Sequence, residues 1–150
     1  MTERVDFYVL GGAEPRQLWT FACRLAEKVY LRDLRAVVLA RSAEDAQAID
    51  TLLWTFSDRS FVPHALCGGD GAADPDVPVH LTADADRAPA ADVLVNLGDS
   101  LPRDTGRFAR IAEIVDADPQ RRARARERFK AYREMRLAVQ THQIDENAEP

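Results

Sequence analysis

Apolar residues follow two alternating patterns along the first 60 positions: short continuous runs and longer helical repeats. The runs Val5–Leu10 and Ala36–Ala40 are rich in β-branched residues, which is typical of buried strands. The segments after them space apolar residues as in a helix, one starting near Pro15 and the other after Ser42, a favourable N-cap. Two βα units in succession predict a parallel sheet that is covered on both faces.

The middle of the chain is less regular but contains further candidate strands. Phe61–Leu66 has extended character, although Pro63 limits it to a sheet edge or to irregular structure. Val77–Leu81 and Asp92–Leu97 are also strand-like, whereas Gly68–Pro78 has the composition of an acidic surface loop.

The last third of the chain predicts a strand, a helix and a tail. For Phe108–Val115 we favour a short helical turn that passes into a strand at Ile111–Val115. Asp116–Asp118 and Pro119 begin a terminal helix, since acidic residues favour a helix N-terminus. Residues 141–150 are polar and acidic and predict a flexible tail. The expected fold is one α/β domain over residues 1–140, Rossmann-like, with a mostly parallel sheet and helices on both faces.

Composition narrows the class of protein. A chain of 150 residues is long enough for one domain that buries about 70% of its unfolded surface. No apolar run approaches the roughly 20 residues that span a bilayer, and the N-terminus shows no secretory signal. Cys23 and Cys67 are therefore expected to be reduced thiols in a cytoplasmic protein that does not enter the membrane.

The glycines and histidines do not form a recognisable catalytic or cofactor motif. Gly11–Gly12 follows the first strand, but the sequence GGAEPR lacks the dinucleotide and P-loop patterns, and Glu14 would repel a phosphate. The three histidines lack zinc-site spacing, and no nucleophile elbow is present. We therefore expect no cofactor, no metal and no catalytic residues, and hence a protein that is not an enzyme by itself.

Charge is strongly polarised along the chain. The whole chain has a net charge of −5, yet the 16 residues 121–136 contain eight Arg and Lys against two Glu. This segment is thus about +6 and the remainder about −11, a distribution that indicates a local site for an anionic partner.

Helical geometry places four of these basic residues on one stripe roughly 80° wide: Arg122, Arg126, Lys130 and Arg133. Ala125, Phe129 and Tyr132 form the neighbouring stripe, which is expected to pack on the sheet. Three interpretations remain open: a solvated helix paired with carboxylates of its own chain, direct binding of single-stranded nucleic acid, or binding of an acidic peptide. A single compact stripe fits a peptide better than it fits an extended phosphate backbone.

Three segments together resemble a known family: DFYVL near the N-terminus, LWTFSDRSFVPHAL at Leu53–Leu66 and ARERFKAYR at Ala125–Arg133. The chain is similar in these segments, and in the order of its predicted strands, to the chi subunit of bacterial DNA polymerase III holoenzyme. The resemblance implies a non-catalytic accessory protein of the clamp-loader complex that acts in DNA replication. It also implies a monomer outside that complex and mainly indirect contact with nucleic acid.

The resemblance further implies two protein partners. Chi binds the C-terminal tail of single-stranded DNA-binding protein, in which aspartates precede a terminal hydrophobic residue. The basic helix that binds this tail matches Arg126 and Lys130 directly and Arg122 at its N-terminal edge. With Arg133 of the same stripe, these are the expected tail-binding residues. Chi also binds the psi subunit through an aromatic segment matched by Trp54, Phe61, Val62 and Pro63. An alternative for Trp54 and Phe61 is that they cover a helix end.

Overall fold

The computed structural model describes residues 2–57, 61–67, 76–84, 86, 88–99, 101–102 and 105–144. Within these residues seven strands form one sheet: β1 (Arg4–Leu10), β2 (Ala36–Leu39), β3 (His64–Leu66), β4 (Val79–Thr82), β5 (Ala91–Asn96), β6 (Phe108–Val115) and β7 (Ala138–Ile144). The helices are α1 (Pro15–Leu31), α2 (Ala43–Thr55) and α3 (Pro119–Glu134), and a 3₁₀ turn at Thr105–Arg107 precedes β6. None of the described helices is both long enough and apolar enough to cross a membrane.

The sheet has the strand order β3-β4-β2-β5-β6-β1-β7, and every described strand pair is parallel. The predicted Rossmann-like α/β fold is therefore confirmed. Strand β3 starts directly after Pro63 and lies at one edge, as the proline predicts, because a residue without an N–H is tolerated there. Strand β7 forms the opposite edge.

Helices cover both faces of the sheet. Successive residues of the central strands point to opposite sides, so their apolar side chains need a packing partner on each face. Val38 packs in the cluster that contains the buried residues of α1 and α2. Its neighbours Val37 and Leu39 pack in the second cluster, which contains Tyr132 of α3. The continuous apolar runs of the sequence thus correspond to strands that are buried on both faces.

The helix starts agree with the sequence. Pro15 and Pro119 occupy the first turns of α1 and α3, where a missing N–H costs nothing. The Ser42 hydroxyl accepts a hydrogen bond from the Asp45 backbone N–H at 3.1 Å and caps α2.

One prediction about the C-terminal third is wrong at Phe108. The strand β6 spans the whole segment from Phe108, and the helical turn lies before it, at Thr105–Arg107. The Phe108 side chain is buried on the face that α3 covers, and its backbone is in register with Ala91 of β5. Pairing on both sides extends β6 beyond the apolar run from which it was predicted.

The prediction of a flexible tail is wrong at Thr141–Ile144, which belong to β7 and pair with β1. His142 Nε2 lies 2.9 Å from Asp6 Oδ1, and its ring stacks on Tyr8 at 5.0 Å between centroids. Polar residues form this strand because an edge strand is only half covered. Residues 145–150 lie outside the described residues, as do residues 68–75 of the predicted Gly68–Pro78 loop.

Candidate functional site

Helix α3 carries most of the basic segment, and its start is fixed by local contacts. The Asp118 side chain accepts a hydrogen bond from the Arg121 backbone N–H at 3.0 Å and caps the helix. The stripe of α3 that faces the sheet consists of Ala125 and Tyr132, which are buried, and Phe129, which is partly buried. The predicted packing of this stripe on the sheet is confirmed.

Three arginines of α3 bind carboxylates of the same chain. Arg121 Nε lies 2.9 Å from Asp116 Oδ1, and Arg124 Nη1 lies 3.1 Å from Asp99 Oδ2. Arg128 is buried, with Nη2 at 3.2 Å from Glu113 Oε1. The interpretation of a helix paired with its own carboxylates therefore applies to part of the basic segment.

Arg122 is anchored differently, through the backbone of the sheet. Its Nε donates to the Asp116 carbonyl at 3.0 Å and its Nη2 donates to the Leu10 carbonyl at 3.2 Å. These contacts hold its guanidinium across the carboxyl ends of β1 and β6. The Ala117 N–H donates to the Gly12 carbonyl at 2.9 Å in the same crevice, where phosphate loops lie in doubly wound proteins.

A groove of about 380 Å³ opens between α3 and the β1–β7 edge of the sheet. Its apolar lining consists of Phe7, Val9, Val115, Ala125 and Phe129, and its polar lining consists of Arg122, Arg126, Lys130, Thr141 and Gln143. Arg126 and Lys130 are exposed, and no carboxylate is among these described lining residues. The groove thus offers an apolar surface beside three cationic groups.

Three of the four residues predicted for the basic site are brought together there: Arg122, Arg126 and Lys130. Arg133 is exposed and lies outside the groove lining, with its guanidinium carbon 5.9 Å from the Phe129 ring centroid. The apolar residues of the groove, which come from two strands and the helix, were not identified from the sequence.

A buried polar network beneath α3 was also missed. The Glu113 carboxylate accepts hydrogen bonds from Arg128, from the Tyr132 hydroxyl at 2.6 Å and from Asn96 Nδ2 at 3.0 Å. Burial raises the pKa of Glu113, and the charge of Arg128 and these hydrogen bonds oppose the rise. The spacing of Arg128 and Tyr132, four residues apart on one helix face, is the one signal that could have indicated the network.

The aromatic segment forms a separate surface near the β3 edge. Trp54 is 55% exposed and Phe61 is 63% exposed, with their ring centroids 5.6 Å apart. The Trp54 ring also lies 4.6 Å from that of His64. Val62, in contrast, is buried in the core and Pro63 is half-buried. The exposed part of the predicted patch is therefore the Trp54–Phe61 pair.

The single parallel sheet with helices on both faces defines a Rossmann-like α/β protein. The crystal structure of T4 UvsW has a similar fold, with a TM-score of 0.66 and 8% identity, and the match covers 97% of this chain and 42% of that one. This likeness concerns the fold alone. In the described residues no group of three metal-ligating side chains is found.

Sequence relatives identify the family. The profile described as DNA polymerase III chi subunit, HolC, matches residues 1–140. A protein named DNA polymerase III subunit chi from Pseudomonas aeruginosa is 34% identical over 141 residues, or 94% of this chain and 96% of that protein. Its namesake from Haemophilus influenzae is 28% identical over 134 residues, or 89% and 92%. The chain belongs to the DNA polymerase III chi subunit family, so the resemblance is confirmed and the chain is a replication accessory subunit.

Proposed function

We propose that the groove between α3 and β7 binds the acidic C-terminal tail of single-stranded DNA-binding protein. The observation that carries this proposal is the placement of Arg122, Arg126 and Lys130 around an apolar lining. The aspartates and terminal carboxylate of the tail match the cations, and its last hydrophobic side chain matches the apolar surface. The groove has a volume of about 380 Å³, at the small end of typical ligand pockets of roughly 300–1,000 Å³.

The contacts favour a peptide over direct binding of single-stranded nucleic acid. Arg121, Arg124 and Arg128 are bound to carboxylates of this chain, which reduces the charge that α3 offers to a long phosphate backbone. The remaining groove cations surround one spot. A backbone that follows the whole helix would instead require a line of available cations.

The energetics of such a contact are modest for each group. A charge-assisted hydrogen bond contributes about 1.5–3 kcal/mol. The attraction of the exposed Arg126 and Lys130 for an anion decays over a Debye length of about 8 Å at physiological salt and over a shorter distance at higher salt. Binding should therefore weaken as ionic strength rises, while the apolar contribution of the last side chain persists.

A calorimetric titration with a synthetic tail peptide tests this function. We expect binding that falls with added salt and is lost when the terminal hydrophobic residue is removed from the peptide. A single-stranded oligonucleotide in a second titration serves as the competitor. Tight binding of the oligonucleotide that the peptide does not displace would support the nucleic-acid function instead.

We also propose that the Trp54–Phe61 pair contacts the psi subunit and thereby links the chain to the clamp loader. Two large, exposed aromatic side chains in contact are typical of the residues that dominate interfaces. Strands β3 and β7 are the two edges of the sheet and are six strand spacings apart, or about 29 Å. Both partners could thus be bound at once, as a tether requires. Copurification of this chain with psi and the tail peptide in one complex tests the link.

A further inference from the structure

The proposed groove opens beside the carboxyl end of β7. Thr141 and Gln143 of β7 line the groove, and Ile144 is the last residue of the strand. Ile144 is in register with Leu10, whose carbonyl accepts the hydrogen bond from Arg122 Nη2. Because paired strands lie about 4.8 Å apart, the Arg122 guanidinium is close to the point where the chain leaves the sheet.

The sequence that leaves the sheet there is acidic. Residues 145–150 read DENAEP and contain the carboxylates Asp145, Glu146 and Glu149 without any basic residue. They follow directly on a strand that forms one wall of the cationic groove, and they lie beyond residues 1–140, which the family profile matches. Their charge is thus complementary to the groove.

The segment is long enough to reach all three cations of the groove. Helix α3 connects the end of β6 to the start of the parallel strand β7, so it runs back along the sheet from Arg122 towards Lys130. Arg126 and Lys130 lie about 6 and 12 Å along the helix from Arg122. Five extended residues span at most about 17 Å, enough for Glu149 to reach the level of Lys130.

We propose that residues 145–150 bind the groove of their own chain and compete there with an acidic peptide of a partner. This inference rests on the proposed function for the identity of the competing peptide, but not for the intramolecular contact. A segment joined directly to the wall of its site has an effective concentration on the order of millimolar. A weak contact therefore suffices to occupy the groove for much of the time, so that only a partner with higher affinity displaces it.

The test neutralises the segment without shortening it. In the variant Asp145→Asn, Glu146→Gln, Glu149→Gln, we expect the tail peptide to bind at least threefold more tightly than in the unmodified chain. A threefold change in affinity is expected if residues 145–150 occupy the groove of the unmodified chain about two thirds of the time. The matched control, Glu3→Gln, Glu27→Gln, Glu44→Gln, changes the net charge equally at positions outside the groove lining and should leave the affinity within twofold.

A second measurement needs no partner peptide. Backbone amide NMR shifts of Arg126 and Lys130 should differ between the unmodified chain and the neutralised variant, but not between the unmodified chain and the control. If these shifts differ while the tail peptide binds neither protein, the proposed function fails and the intramolecular contact stands. If the tail peptide binds both proteins with equal affinity, or if the shifts are confined to residues next to Ile144, the contact is overturned.

Discussion

Arg128 and Glu113 form a buried ion pair beneath α3, with Arg128 Nε 3.2 Å from Glu113 Oε1. Tyr132, one turn later on the helix, donates its hydroxyl to the other carboxylate oxygen at 2.6 Å. Two contacts from one helix to one carboxylate fix the rotation of α3 about its axis. That rotation determines that Arg122, Arg126 and Lys130 border the groove.

Glu113→Gln should destabilise the fold by about 3 kcal/mol or more, because removal of one partner leaves the Arg128 charge buried and unbalanced. The measurement is the free energy of unfolding from urea denaturation at pH 7. The control is the double variant Glu113→Gln, Arg128→Leu, which removes both charges together and keeps an amide beside Tyr132 and Asn96. It should lose less stability than Glu113→Gln, and a larger loss in the double variant would contradict an unbalanced charge as the cause.

Arg121 should stabilise the fold only while Asp116 is ionised. Burial acts to raise the pKa of Asp116, but hydrogen bonds from Arg121 and the Asp118 N–H, with the charges of Arg121 and Arg41, lower it below its usual 3.8. A depressed pKa gives stability that is present above pH 3.8 and is lost as the pH falls through the folded-state value. Arg121→Ala should therefore cost about 1–2 kcal/mol at pH 7 and less at a pH below the folded-state pKa of Asp116. The pH dependence of the urea midpoint checks this, and a constant loss at both pH values would exclude the ion pair as its source.

Much of the fold could be predicted from the sequence because its strands are buried on both faces. Continuous apolar runs such as Ala36–Ala40 have few other interpretations once helical repeats follow them. The failures occur at Phe108 and at Thr141–Ile144, where pairing with a neighbouring strand decides the structure. A polar edge strand such as β7 is held by contacts with β1, including that between His142 and Asp6, which are distant in sequence and leave no local pattern.

The candidate site was predictable only in part for the same reason. Helical periodicity alone placed Arg122, Arg126 and Lys130 on one stripe, and the structure puts all three at one groove. Periodicity could not identify Phe7 or Val9 as the apolar lining, since these residues come from a strand more than 100 positions earlier. It also could not show that Arg128 is directed inward, because its partner Glu113 lies on a neighbouring strand.

Trp54 and Phe61 should contribute to psi binding and little to stability. Trp54→Ala or Phe61→Ala should weaken psi binding more than tenfold, which is about 1.4 kcal/mol or more and typical of an aromatic interface residue. Leu31→Ala removes another exposed apolar side chain, 70% exposed on α1, and is the control that should leave binding unchanged. Surface plasmon resonance with immobilised psi measures the affinity of all three variants. An equal effect of Leu31→Ala would mean that the patch is not specific.

Val62 belongs to the same predicted interface but should behave in the opposite way. Its side chain is 1% exposed and packs in the core with α1 and α2. Val62→Ala should cost about 1–3 kcal/mol of folding stability through the cavity it leaves, and should change psi affinity less than Trp54→Ala does. Thermal unfolding and the same binding assay separate the two effects. A stable Val62→Ala variant with weakened psi binding would show that Val62 acts at the interface.

Arg126 and Arg124 offer the sharpest comparison for tail binding, because both are exposed arginines two positions apart on α3. Arg126 borders the groove, whereas Arg124 points to Asp99, with Nη1 and Oδ2 3.1 Å apart. Arg126→Ala should weaken binding of the tail peptide at least tenfold, about 1.4 kcal/mol, because one charge-assisted contact is lost. Arg124→Ala removes the same charge from the same helix and should change the affinity less than threefold. Calorimetry at fixed ionic strength measures both, and circular dichroism confirms that each variant is folded. Equal losses would mean that the tail responds to the overall charge of α3, and the groove would then not be its site.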